Sequence, residues 1–233
     1  MAKYFDIKKI ENNIFLIKET CYKENASIYL FSGKKKSLLV DSGTGMFDIK
    51  KFLENLGFKN IYLTLTHSHF DHAGGIKYFD KEKIILPKKI INNLENKKFW
   101  GIEYLDKKDF KNISNETLNN FYKNFKIILP KIKVQKKLNI DIGNFSFDLI
   151  NMPGHTDDSF TLFDKKNKIL LTGDALYNGK IYCQMPNSNK EKFIVSLKKI
   201  IKLNYELILP GHNNLLYKKD ADKIAKQWIE ILK

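Results

Sequence analysis

The chain has 233 residues, 43% hydrophobic and 13% aromatic, enough to bury a core within one domain running 1–233. No apolar run approaches the about 20 residues of a membrane span and residues 1–9 contain no apolar leader core, so a cytoplasmic protein without membrane attachment is expected. The net charge of +15 rests on 41 lysines and no arginine; without the guanidinium fork that grips phosphate and guanine, it predicts a solvated surface and no nucleic-acid partner, while still attracting anionic small-molecule substrates.

In chain order, residues 14–17, 27–31 and 37–40 are short β-branched and aromatic runs between polar or glycine turns, and are expected as strands. Apolar residues at helical spacing predict a helix over 46–56, stopped by Gly57. A buried strand over 61–66 follows, then a short helix from about Ala73 and a strand over 83–87. From 88 to 125 the pattern turns helical, polar and aromatic (Phe99, Trp100, Tyr104, Phe110, Phe121, Tyr122, Phe125). This insertion is open to two readings, a packed helical connection or a lid over an apolar pocket. Strands are expected again over 132–135, 145–151, 160–163 and 168–172. A helix over 189–203, a strand over 206–210 and an amphipathic helix over 221–232 complete the series. Two β-rich halves, each followed by helices, predict two packed sheets with helices outside. Cys21 and Cys183 form no CxxC pair and are expected as free thiols.

All five histidines lie in three short segments at the ends of apolar runs. They are Thr66-His67-Ser68-His69-Phe70-Asp71-His72, Pro153-Gly154-His155-Thr156 and Pro210-Gly211-His212; Asp174 ends the run 169–172. Imidazole and carboxylate donors suit zinc, iron or manganese, so the set predicts a metal centre. Residues two apart in extended chain share a face, which lets His67 and His69 reach one ion. Asp71 and His72 follow the strand, where the chain turns toward a second ion. Gly74-Gly75 allows that turn and a close helix approach. Asp174, with two oxygens, can bridge both ions.

The cluster His67 to His72, followed in order by His155, Asp174 and His212, resembles the metallo-β-lactamase-fold hydrolases. Val40-Asp41-Ser42-Gly43 is similar to that family's first motif. The resemblance spans about 14–212 and implies an α+β fold, a four-layer αββα sandwich with the helical insertion at 88–125. By position it implies that His67, His69 and His155 hold one divalent ion, Asp71, His72 and His212 a second, with Asp174 between them. Zinc is expected, with iron or manganese as alternatives. Asp41 would orient ligands without binding metal. Two such ions share a water acidified to a pKa near 7, which then attacks an electrophilic carbonyl or phosphorus. Asp71 would also steer a proton to the leaving group.

Tyr177, three residues after Asp174, matches a tyrosine that quorum-signal lactonases of this fold offer to the developing oxyanion; an ordinary packing role is the other reading. Among the branches, β-lactamases generally lack the bridging aspartate. Flavodiiron reductases carry glutamate where His69 stands. Nuclease branches bring RNA-binding parts absent here, and glyoxalase II carries a C-terminal helical domain longer than 213–233. The segment from Gly173 to Ile181, with Ser196-Leu197 and Leu209 to His212, resembles a stand-alone hydrolase branch linked to acyl-thioester cleavage. The expected activity is therefore hydrolysis of a thioester, ester or lactone on a small, anionic substrate. A phosphodiesterase and a mononuclear-iron enzyme like the persulfide dioxygenases are the alternatives.

Overall fold

The structure is a computed structural model that describes residues 4–96, 101–102, 105–127, 129 and 139–233. The first sheet runs β1 (Phe5–Glu11), β2 (Ile14–Glu19), β3 (Ile28–Ser32), β4 (Ser37–Val40) and β5 (Ile61–Thr64), in that spatial order. Neighbours are antiparallel except β4 and β5, which are parallel with Leu39 opposite Leu63. A parallel pair needs a crossover, and α1 (Ile49–Asn55) provides it. Asp48 caps this helix, accepting from the Lys51 backbone N–H at 2.9 Å, so the helix starts later than the expected 46.

Beyond β5 lie α2 (Phe70–Ala73), α3 (Lys88–Glu95) and α4 (Asn115–Asn124). The second sheet comprises β6 (Asn139–Asp141), β7 (Ser146–Asn151), β8 (Phe160–Asp164), β9 (Ile169–Gly173), β10 (Leu207–Pro210) and β11 (Leu216–Tyr217), ordered β11-β10-β9-β8-β7-β6. It repeats the device of the first: antiparallel neighbours, then the parallel pair β9–β10 joined through α5 (Lys190–Lys202). The C-terminal helix α6 (Lys218–Leu232) packs beside α5.

The expected αββα layering is observed. Between the sheets, the fully buried Phe31 of β3 meets Phe145 and Phe147 at ring-centroid distances of 5.1 and 4.8 Å. Burying such a ring contributes roughly 1.5–3 kcal/mol. A second apolar cluster, including Phe193, Leu197, Tyr205 and Ile229, fixes α5 and α6 to the outer face of the second sheet. Among the described residues no helix is long and apolar enough to cross a membrane.

Some expectations need correction. The strand expected over 83–87 is a single bridge, Ile84 beside Leu63, because a 3-10 turn precedes it and Pro87 opens α3 at once. The helix after the histidine cluster begins at Phe70, not near Ala73, so Asp71 and His72 stand on a helical turn. Gly74 keeps an ordinary helical φ of −59°. Its need for glycine is proximity, since a Cβ there would lie 2.0 Å from the Thr44 carbonyl oxygen. The strand expected over 132–135 lies outside the described residues, as do Phe99, Trp100 and Tyr104 of the insertion.

The described part of the insertion packs through aromatic rings. Phe110 stacks on Tyr22 at 5.0 Å, Phe70 meets Phe125 at 6.2 Å, and Lys111 N donates to the Cys21 carbonyl at 2.9 Å. These contacts tie it to the turn after β2 and to the residue following His69.

Glu19, at the end of β2, is buried and accepts from Thr44 N at 2.9 Å and Thr44 Oγ1 at 2.8 Å, pinning the turn that carries Gly43. Burial raises its carboxyl from the ordinary 4.5 to about 7, opposed by the Thr44 hydrogen bonds and assisted by the Asp71 charge. The folded protein therefore binds a proton that the unfolded chain releases, and the associated stability, complete below about 4.5, is lost as pH rises through about 7. In Glu19→Gln this loss is absent, so its Tm relative to wild type should move upward between pH 6 and pH 8, measured by thermal melts. An unchanged difference across that range would contradict the assignment.

Candidate metal centre

Every strand that feeds the site ends at one edge of the sandwich. Parallel strands point their carboxyl ends the same way, so β4 and β5 deliver Asp41 and the His67–His72 cluster side by side, while β9 and β10 deliver Asp174 and His212. The loop after β7 brings His155. The two sheets are stitched at this edge: Phe160 N donates to the Thr66 carbonyl at 2.8 Å, Ser27 N to the Gly211 carbonyl at 2.6 Å, and Tyr29 Oη to the Pro210 carbonyl at 2.9 Å.

The seven expected ligands come together. His67, His69 and His155 form one group whose donor atoms all lie within 4.8 Å of one another. Asp71, His72 and His212 form another, and His67, His72 and Asp174 a third that links them. Asp174 stands in the middle, with Oδ2 3.3 Å from His155 Nε2 and 3.4 Å from His212 Nε2, and Oδ1 3.4 Å from His72 Nε2. Asp71 Oδ2 faces His72 Nε2 at 3.7 Å and His212 Nε2 at 3.5 Å. Gly211 is required beside this carboxylate, because a Cβ there would stand 2.3 Å from Asp174 Oδ1.

A relay behind the cluster aims the imidazoles. Asp41 adopts φ +67°, a left-handed conformation that aspartate tolerates better than most residues. Its Oδ2 accepts from His72 Nδ1 at 2.8 Å, and its Oδ1 accepts from Thr66 N at 2.7 Å. The Thr66 hydroxyl donates to the same carboxylate and lies 3.1 Å from His67 Nδ1. With its one proton committed to Asp41, that oxygen accepts from His67. His155 Nδ1 donates to the Tyr182 carbonyl at 2.7 Å. For His67 and His155 the outer ring nitrogen holds the proton and Nε2 is left bare toward the interior, the arrangement metal-binding histidines need, while His72 would expose the same Nε2 once an ion replaces its inner proton.

These residues fit divalent ions. His67 Nε2 and His72 Nε2 are buried without a hydrogen-bond partner, and His155 Nε2 lies 3.0 Å from His69 Nδ1. Two imidazole lone pairs settle at that separation only around a shared proton or cation. Desolvation and then the neighbouring histidines hold His67 and His69 well below the ordinary imidazole range, and desolvation lowers His155, so these three are neutral donors. Desolvation opposes charge on His72 and His212 too, but carboxylates override it, chiefly Asp71 and Asp41 for His72 and Asp174 for His212, and raise both.

Tyr177 is placed differently from its expected role. Its ring centroid lies 5.5 Å from that of His212, but its hydroxyl donates to the Lys180 carbonyl of its own loop. In this conformation the oxygen has no free proton to offer a developing oxyanion. Both cysteines are free, and burial pushes the Cys21 thiol up to about 12 and raises Cys183, so neither is activated.

His212, the least buried of the five histidines, opens on a cleft of about 460 Å³. Tyr177, Lys180, Tyr182, Lys18, Lys23 and Asn25 are among the residues that line it. Lys18, Thr66 and the Tyr182 carbonyl are site features that the sequence pattern did not single out. Thr66 sits inside the histidine motif, but nothing marks Lys18 among 41 lysines.

An αββα sandwich with a buried His/Asp cluster at one sheet edge defines a class, and the chain belongs to it: the pattern of the metallo-beta-lactamase superfamily matches residues 22–212. The relatives include the acyl-coenzyme A thioesterase MBLAC2 of Gallus gallus, 25% identical over 97% of this chain and 87% of its own length. The hydroxyacylglutathione hydrolase GloC of Haemophilus influenzae is 25% identical over 87% of this chain and 91% of its own. Among solved structures, a metallo-beta-lactamase from Pontibacter korlensis aligns over 98% of each chain with a TM-score of 0.72 at 15% identity, a likeness of fold. Because the match spans 91% of the GloC hydrolase, the expected distinction from hydroxyacylglutathione hydrolases by the length after the last histidine does not hold.

If Asp41 aims His72 and His67, Asp41→Asn should weaken metal affinity by about 10–100-fold while the fold persists, read by chelator competition. Unchanged affinity would remove Asp41 from that role.

Proposed function

We propose that the protein is a dinuclear metal-dependent hydrolase of thioesters, the related esters and lactones being chemically accessible to the same centre. The observation that carries the dinuclear reading is Asp174, whose two oxygens face histidines of both groups. His67, His69 and His155 would hold one ion, and Asp71, His72 and His212 the other. Zinc suits these nitrogen and oxygen donors, as do iron and manganese. Two bound ions would supply Lewis acidity and a water deprotonated near neutral pH.

The chain's own residues do the rest. Asp41 and Thr66 fix the ring orientations, and Asp71, 3.5 Å from His212 Nε2, would take the proton released by the attacking water and pass it to the leaving thiolate. Tyr177 forms a wall against His212, and its hydroxyl holds the 177–180 turn. The thioester preference is supported by relatives named as an acyl-coenzyme A thioesterase and a hydroxyacylglutathione hydrolase, both thioester cleavers, matching across nearly the whole chain. The absence of arginine and the dispersed lysines support a small anionic substrate in place of nucleic acid.

The test is a panel of acyl-CoA, acyl-glutathione, lactone and bis-p-nitrophenyl phosphate substrates, run on protein of measured metal content, then after chelation and after readdition. Thioesters should give the highest kcat/KM, lost on chelation and restored by zinc, iron or manganese. Preference for the phosphodiester would overturn the thioesterase reading. In the same assay Tyr177→Phe should lower kcat less than about tenfold, since removing a direct oxyanion donor costs about 10²–10³. A loss of that larger size would return Tyr177 to the oxyanion.

A further inference from the structure

We infer that Lys18 is a specificity-determining residue, binding an anionic group of the substrate, carboxylate or phosphate, in the cleft on which His212 opens. The inference rests on the hydrolase reading and names what that site recognises.

The cleft holds three lysines, and they differ. Lys23 and Lys180 are exposed, at its rim, whereas Lys18 is half-buried on β2. A lysine at a surface strand normally extends its ammonium into water. Here Nζ turns inward to the Asn25 carbonyl at 3.1 Å, and Asn25 is itself anchored by its amide donating to the Glu19 carbonyl at 2.8 Å. Among the described residues that carbonyl is the ammonium's one hydrogen-bond partner, leaving two of three N–H donors for a guest.

Retention inside the wall is costly: burial pushes the Lys18 ammonium from 10.5 down to about 8, despite the Asp174 and Asp71 charges that favour it. Those two carboxylates are the ones the divalent ions would neutralise. In the loaded site the fixed charge left along the cleft is Lys18, Lys23 and Lys180 against the exposed Glu24. A half-buried ammonium with spare donors, facing only the exposed Glu24 as counter-charge, favours an incoming anion more than a rim lysine does, because water screens it less. His212 lines the same cleft, so an anion held by Lys18 would share that cleft with the bond to be cleaved.

Three thioesters separate the possibilities: neutral S-acetyl-N-acetylcysteamine, its S-succinyl counterpart with a carboxylate, and acetyl-CoA with phosphates. For Lys18→Met, nearly the same size and free of charge, kcat/KM for an anionic substrate relative to the neutral one should fall by at least about tenfold, through KM. That is the size expected from one charged hydrogen bond in a shielded cleft. Loss on the succinyl substrate identifies a carboxylate, and loss on acetyl-CoA a phosphate. Lys23→Met, at the rim, should change the same ratios less than about threefold. Calorimetric affinity for a non-hydrolysable thioether analogue of each of the three thioesters is measured alongside, on wild type and Lys18→Met. If wild type cleaves no thioester, the thioesterase reading fails, and the thioether affinities still decide on Lys18. Equal affinity of wild type and Lys18→Met for both anionic thioethers, or equal ratios in turnover, would overturn the inference.

Discussion

Three carboxylates, Asp41, Asp71 and Asp174, are held at one edge of the sandwich with at most 8% exposure. Anionic charge withdrawn from water to that degree must be met by cations or donors, or it neutralises. Asp41 is met by Thr66 and by the outer nitrogen of His72. Asp71 and Asp174 are met by inner imidazole nitrogens at 3.3–3.7 Å, beyond good hydrogen-bond length. The same two carboxylates, with Asp41, draw protons onto His72 and His212, while His67, His69 and His155 are kept neutral. Divalent ions would resolve this imbalance by replacing the protons, which is the chemistry the buried His/Asp cluster fits.

The fold supplies that concentration by using one device twice. Each sheet contains one parallel pair joined across a helix, β4–α1–β5 and β9–α5–β10, and parallel strands necessarily deliver their following residues to a common edge. Packing the sheets face to face then opposes the two edges. Backbone hydrogen bonds from Phe160 to Thr66 and from Ser27 to Gly211 cross between the sheets at this point, so the ligands hang on rigid strand ends. The cleft beside His212 opens from this edge, and its lysines are the groups proposed to select an anionic substrate.

Much of this was legible in the residues themselves. The ligands were readable because imidazole and carboxylate beside Gly and Pro at the ends of apolar runs have few other uses, and their order along the chain matched one family. The strands carrying them were readable as apolar runs. β1, β6 and β11 were not, because edge strands with one wet face, such as 5–11, look like any polar segment. Asp41 matched the family's first motif, but its left-handed backbone depends on the neighbouring strand. The direction of the Tyr177 hydroxyl is set by a turn closing on Lys180, and Lys18 is distinguished from other lysines only by where its strand sits. These depend on tertiary placement, which local pattern does not encode.

The central claim is that Asp174 lies between two metal ions. Crystals of the metal-loaded protein, with anomalous data collected at the edge of the metal found by elemental analysis, measure this directly. Two peaks about 3.5–4 Å apart are predicted, one against His67, His69 and His155, the other against Asp71, His72 and His212, with Asp174 touching both. A single fully occupied peak, or two peaks with Asp174 bound to neither or only one, would contradict the account.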